Sequence, residues 1–201
     1  MTQDSLFGTA LVARPAIELQ EDASDSYVPR TKENAHRGDI TLAIALDYDS
    51  AGERLTKKAA GPRYIAIPFN SQLEPAQHQL IAFARKLRAR SINVAGNGLY
   101  TFKKFNVTQD AVNGYVYRLL AGVHREHPIE HIRSGGQTGT DWAGLVAGIA
   151  LGIPVTGLFP KGYRQRNASG QEFYKAQSDV LRWLHQSVSR IACNSFQQRM
   201  S

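Results

Sequence analysis

The chain is predicted to adopt an α/β fold: a mainly parallel sheet flanked by helices on both faces, wired in a Rossmann-like way. Two observations predict it. From about residue 40 onward, short apolar runs alternate with stretches of helical period. Several of the predicted strands also end in glycine-rich or basic loops just before the next helix, where open α/β sheets bind ligands.

The elements follow in order. Residues 1–38 are weakly patterned and read as an N-terminal extension to a domain spanning 39–201. Leu11–Val12 and Ile17–Leu19 could form short strands there, and the polar stretch 20–38 reads as loop or partly disordered. Ile40–Leu46 is a run typical of a buried strand, and residues 50–60 suit a short helix capped by Ser50. Tyr64–Pro68 reads as a second strand. Residues 73–90 place Leu73, Ala76, Leu80, Ala84 and Leu87 near helical spacing, with Pro75 in the first turn. Ile92–Ala95 is a strand and 109–124 an amphipathic helix. Ile129–Arg133 is a strand, followed by a helix over Asp141–Leu151 that closes at Gly152. Pro154–Phe159 is the last strand, and residues 171–191 read as a closing helix that includes Phe173.

Composition narrows the class. A chain of 201 residues with 42% hydrophobic residues can bury a core without staples. No apolar run approaches the length of a membrane span, and the N-terminus lacks the pattern of a signal peptide. Cys193 is the single cysteine; no intrachain disulfide can form, a cytoplasmic setting fits, and the thiol is expected to be packed. The net charge is +7, although Asp4, Glu18, Glu21, Asp22 and Asp25 oppose only Arg14 in the first 26 residues. The rest is therefore strongly basic, with clusters at 85–90, 103–104 and 161–166, and attracts phosphates on a small ligand or on nucleic acid.

Three loops carry the functional signal. Ser134-Gly135-Gly136-Gln137-Thr138-Gly139-Thr140-Asp141 joins a strand to a helix. Its glycines let backbone approach a ligand, and the helix start offers unpaired N–H groups to an oxyanion. Asp141 can cap the helix, grip a ribose or act as acid or base; its position at a helix N-terminus favours the ionised form. Gly96-Asn97-Gly98, also after a strand, is expected to face the same crevice. Lys161, Tyr163 and Arg164 follow the 154–159 strand and offer two charges and a stacking ring.

The run Ser-Gly-Gly-Gln-Thr-Gly-x-Asp, a small-residue helix, Leu-Gly-Ile-Pro and Pro-Lys-Gly resembles a segment of the proteins labelled as molybdenum carriers, members of the SLOG superfamily. That superfamily also holds the cytokinin-activating LOG phosphoribohydrolases, the DNA-processing protein DprA and sensors of nucleotide-derived signals. The resemblance covers about residues 88–166, and Val-Ala-Gly-Asn-Gly falls at the family's first glycine turn. It implies a Rossmann-like domain binding a nucleotide or ADP-ribose-like molecule, and sensing, sequestering or hydrolysing it at an N-glycosidic or phosphate bond. It also leaves open a DprA-like nucleic-acid binder and a carrier of an oxyanion or molybdenum cofactor. The chain departs from the LOG pattern Pro-Gly-Gly-x-Gly-Thr-x-x-Glu: one extra residue precedes Gly139-Thr140, and Ala143 stands where an acid is expected.

Asp47-Tyr48-Asp49-Ser50-Ala51-Gly52 is similar to the Asp-x-Asp-x-Ala-Gly motif of Toprim domains, whose carboxylates hold a divalent metal. No Glu-Gly pair precedes it, so Asp47 and Asp49 are expected to border a segment, 52–58, that walls the crevice, with a divalent metal ion held by the two carboxylates as the alternative. His127 and His131 flank Pro128 and do not make a zinc pair. The expected partner is a nucleotide-type small molecule, with weak nucleic-acid binding through Tyr100, Phe102 and the basic clusters, no membrane, and homo-oligomerisation.

Overall fold

The computed structural model describes residues 15–200, and side chains as far as Cys193. The strand suggested at Leu11–Val12 lies outside the described residues. Six strands form one parallel sheet: β1 (Ile17–Glu21), β2 (Ile40–Ala45), β3 (Tyr64–Pro68), β4 (Ser91–Gly96), β5 (His131–Ser134) and β6 (Val155–Phe159), in the order β1-β6-β5-β4-β2-β3. Seven helices accompany it: α1 (Tyr27–Arg37), α2 (Ala51–Ala60), α3 (Leu73–Leu87), α4 (Leu99–Lys103), α5 (Gln109–Glu126), α6 (Thr140–Ala150) and α7 (Gln177–Met200). The Rossmann-like α/β architecture is thus established. A short antiparallel pair, β7 (Gln165–Arg166) and β8 (Glu172–Phe173), precedes α7.

All six residues of β2 are buried because helices cover both faces of the sheet. Each fully buried Ile or Leu, such as Ile40, Leu42 and Ile44, stabilises the fold by about 1.5–3 kcal/mol. α6 lies close on the sheet through Gly144 and Gly148. A Cβ there would come within 2.6 Å of the Val94 side chain and 2.4 Å of Val155. That close approach fixes where the first turn of α6 meets the ends of β4 and β5.

The N-terminal segment contributes to the sheet and to its covering helices. β1 pairs in parallel with β6, Ile17 opposite Val155, so the sheet's edge belongs to residues before 39. The stretch read as loop holds α1, capped by Ser26, whose side chain accepts from the Val28 N–H. Its buried residues are Arg30, Asn34 and Ala35, so its inner face is largely polar and carries no hydrophobic stripe to detect. The closing helix starts at Gln177, because Phe173 is taken by the β7–β8 pair. Cys193 is exposed, not packed. No helix among the described residues is long and apolar enough to cross a membrane.

Candidate functional site

β2 has β3 on one side and β4 on the other, so the chain leaves it in one direction and returns in the opposite one. At such a reversal the loops after the two central strands diverge and leave a crevice at their carboxyl ends. A cleft of about 550 Å³ opens there. One wall is α1, with Tyr27, Arg30 and Asn34; another is the start of α2, with Ser50, Gly52 and Glu53; the third is the pair of glycine turns.

The two turns are joined. Gly98 and Gly139 form an isolated antiparallel bridge, the Leu99 N–H donates to Thr138 O, and the Thr140 N–H donates to Asn97 O. Asn97 then ties this unit to the end of β2. Its Oδ1 accepts from the Leu46 and Asp47 N–H groups at 2.9 Å, and its Nδ2 donates to Asp47 O at 2.7 Å.

Of the residues read from the sequence, Gly96, Asn97, Gly98, Gly135, Gln137, Thr138, Asp141 and Asp47 line the cleft. Others lie behind it. Ser134 Oγ donates to Val94 O and Asp141 O, and Thr140 Oγ1 donates to Ile44 O. Gly136 and Gly139 also serve packing. Gly136 has φ +68°, and a Cβ on it would lie 2.2 Å from the Phe159 ring; one on Gly139 would lie 2.3 Å from Asn97 O. Gly136→Ala is therefore expected to lower stability by more than 1 kcal/mol, on the order of an overpacking change, read as a shifted urea midpoint. An unchanged midpoint would show that the Phe159 contact is dispensable.

Lys161, Tyr163 and Arg164 sit beside the cleft without lining it. Tyr163 packs on Phe159 at 5.3 Å between ring centroids, and Lys161 is exposed. Arg164 binds Glu172 at 3.1 Å and lies over the Tyr27 ring. The rim cations that do line the cleft are Lys104, resting on Tyr100, and Arg166, which also pairs with Glu172. Asp49 donates its N–H to Asp47 Oδ1 in a tight turn. Among the described residues no three His, Cys, Asp or Glu side chains gather as a metal site.

The glycine loop is largely satisfied from within. Gly139 N–H donates to Gln109 Oε1 at 2.6 Å and Thr138 N–H to Gln137 Oε1 at 2.9 Å. Asp141 takes the N–H groups of Gln137 and Gly96 and pairs with Arg30 Nη1 at 2.9 Å. It is 7% exposed, and burial pushes its pKa up against the opposing pull of Arg30 and the two N–H groups. The helix terminus alone favours the charged form, but desolvation outweighs it here.

Two residues that patterning did not single out complete the site. Arg30 reaches it from α1. Glu53, in the first turn of α2, is 3% exposed, and burial followed by the nearby Asp141 and Asp47 charges pushes its pKa up to about 8. The expectation that residues 52–58 wall the crevice pointed to this helix but not to the carboxyl.

Residues 132–192, from β5 to α7, match the family model described as the circularly permutated YpsA SLOG family. The match includes the glycine loop and supports membership of the SLOG superfamily. In this chain the strand beside β6 is β1, from the N-terminal side of the sheet. A comparison with curated proteins gives no match.

Proposed function

Taking a SLOG-superfamily fold as the premise, we propose that the cleft binds a nucleotide or nucleotide-derived molecule such as an ADP-ribose-like compound. The observation that carries this reading is the position of the cleft. It lies at the strand-order reversal between β2 and β4, is lined by both glycine turns, and has the volume of a small-ligand site. The phosphate end faces Gly98, Thr138, Lys104 and Arg166, where the cations line the rim. The floor, with Asp47, Glu53 and Asp141, suits an uncharged part of the ligand. A bare oxyanion at the loop's own N–H groups is disfavoured, because Asp141 already occupies those of Gly96 and Gln137.

The protein acts in this reading by capture, as a sensor or sequestering protein. Asp141 spends its carboxylate on Arg30 and two backbone N–H groups, an arrangement that holds a loop in place and leaves little for proton transfer. Calorimetric titration with AMP, ADP-ribose and molybdate tests the proposal. A nucleotide should bind and molybdate should not. Lys104→Ala should weaken the nucleotide about tenfold or more, the worth of a hydrogen bond to a charged group. Molybdate binding without nucleotide binding would replace this reading with the carrier one. Hydrolysis of the nucleotide during the titration would make the protein an enzyme.

A further inference from the structure

Five buried side-chain atoms in the cleft wall have no hydrogen-bond partner among the described residues: Arg30 Nε, Asn34 Oδ1 and Nδ2, Glu53 Oε2 and Asn93 Oδ1. Their residues are between 2% and 6% exposed. Buried polar atoms are nearly always paired, and leaving one unpaired is costly. A concentration of them in the wall around one cleft is the mark of a surface shaped for something other than the protein itself.

The chemistry of that partner can be read from the atoms. Two are amide oxygens that accept (Asn34 Oδ1, Asn93 Oδ1), two are N–H donors (Arg30 Nε, Asn34 Nδ2), and Glu53 Oε2 accepts as a carboxylate and can donate while the carboxyl is protonated. They come from three elements, α1, α2 and β4, that line the same cleft from different parts of the fold. Asp47 and Asp141 lie close enough to act on Glu53, which disfavours a phosphate there. An apolar group would leave all five atoms unpaired. A group that donates and accepts at several points, without charge and without being flat, is a ring bearing hydroxyls.

We infer that this wall is a sugar subsite, in which Glu53, Asn34 and Asn93 take the vicinal hydroxyls of a ribose-type ring and Arg30 Nε donates to a hydroxyl oxygen. The inference rests on the reading that this cleft is the ligand site. It orients the ligand with its sugar on the floor under α1 and its phosphate at the Lys104–Arg166 rim. Neither Arg30, Asn34 nor Glu53 belongs to a glycine turn, so specificity for the sugar is carried outside the loops that mark the fold.

The state of Glu53 supplies an independent readout. Besides burial, the charges acting on it are those of Asp141 of α6 and Asp47 after β2; Tyr48 and Tyr64 in turn feel its charge, and Arg30 of α1 is held by Asp141. Burial among these groups keeps the carboxyl protonated to about pH 8. Hydroxyl donors favour the carboxylate, so the sugar's contribution should grow as pH rises from about 7 to 9. The nucleotide phosphate, whose second pKa is near 6, is already fully ionised over that window.

The test compares AMP with 2′,3′-dideoxy-AMP, in wild type and in Glu53→Gln, by calorimetry at both pH values, with ribose 5-phosphate as a third probe. Removing the two hydroxyls is expected to weaken binding to wild type about tenfold or more. The gap should widen with pH in wild type, and in E53Q it should shrink to about threefold or less and lose its pH dependence. Equal affinity of AMP and its dideoxy analogue for wild type overturns the sugar subsite and leaves the nucleotide reading standing. A gap that E53Q does not alter also overturns it, since the hydroxyls are then read elsewhere. Binding of ribose 5-phosphate but not AMP, weakened in E53Q, supports the subsite while removing the nucleotide reading. No binding of any of the three overturns both.

Discussion

Replacing Arg30 by methionine is expected to lower the free energy of unfolding by about 3–5 kcal/mol at neutral pH, the cost of leaving one partner of a buried pair without its counterion. Arg30 Nη1 lies 2.9 Å from Asp141 Oδ2, and both side chains are less than a tenth exposed. Methionine keeps most of the packing volume of the arginine stem, so the loss reports charge and hydrogen bonding and not a cavity. The double variant Arg30→Met, Asp141→Asn removes both charges and should recover part of the loss. Urea unfolding of the three proteins measures this. A single-variant loss below about 1 kcal/mol would mean that the pair behaves as an exposed one. The consequence reaches the site directly, since the pair anchors α1 to the glycine loop and holds the cleft's two walls together.

Glu53→Gln is expected to move stability the other way. The carboxyl ionises near 4.5 when unfolded and near 8 when folded, so the folded chain binds the proton more tightly. A raised acid pKa contributes stability that is full below the unfolded value and is lost as pH rises through the folded one. Wild type should therefore lose stability through this group as pH rises between roughly pH 5 and 8, on the order of 1 kcal/mol per pH unit. Glutamine cannot ionise, so E53Q should lack that component and be the more stable protein at pH 8. Thermal unfolding at several pH values tests this. A lower midpoint for E53Q than for wild type at pH 8 would sink the idea that the carboxyl is held at a cost in stability. A residue that destabilises the empty protein and strengthens ligand binding is the expected signature of a group kept for function.

The sheet was legible in the sequence wherever both faces of a strand are buried. Ile40–Ala45 is a run of apolar and β-prone residues because helices cover it from both sides, whereas in the edge strand Tyr64–Pro68 only Ile65 and Ile67 are buried. The glycine turns were legible because strand-to-helix turns of this geometry restrict the residues that fit. What those glycines do was less so. Gly136 and Gly139 accommodate Phe159 and the neighbouring turn, contacts that join distant parts of the chain and leave no local trace. The same holds for α1. Its inner face carries Arg30 and Asn34, so its period is that of a polar helix, and only the tertiary structure shows which side faces inward. Glu53 reads locally as an ordinary acid in a first helical turn, favourable to the dipole. Its burial beside two other acids is decided by residues 6 and 88 positions away, at Asp47 and Asp141.

The pairing of β1 with β6 also bears on how the molecule is made. β1 emerges first of the six described strands of the sheet, but its hydrogen-bonding partner is Val155–Phe159, the last of them in chain order. Closing so long a loop is slow compared with forming the local units between β2 and β6. Until it closes, β6 presents an unpaired strand edge, the kind of surface on which partly folded chains associate. α1 is tethered to β1 by five residues, so the wall carrying Arg30 and Asn34 would be seated late, against a sheet already built. The part of the ligand site that is translated first is in this way the part assembled last.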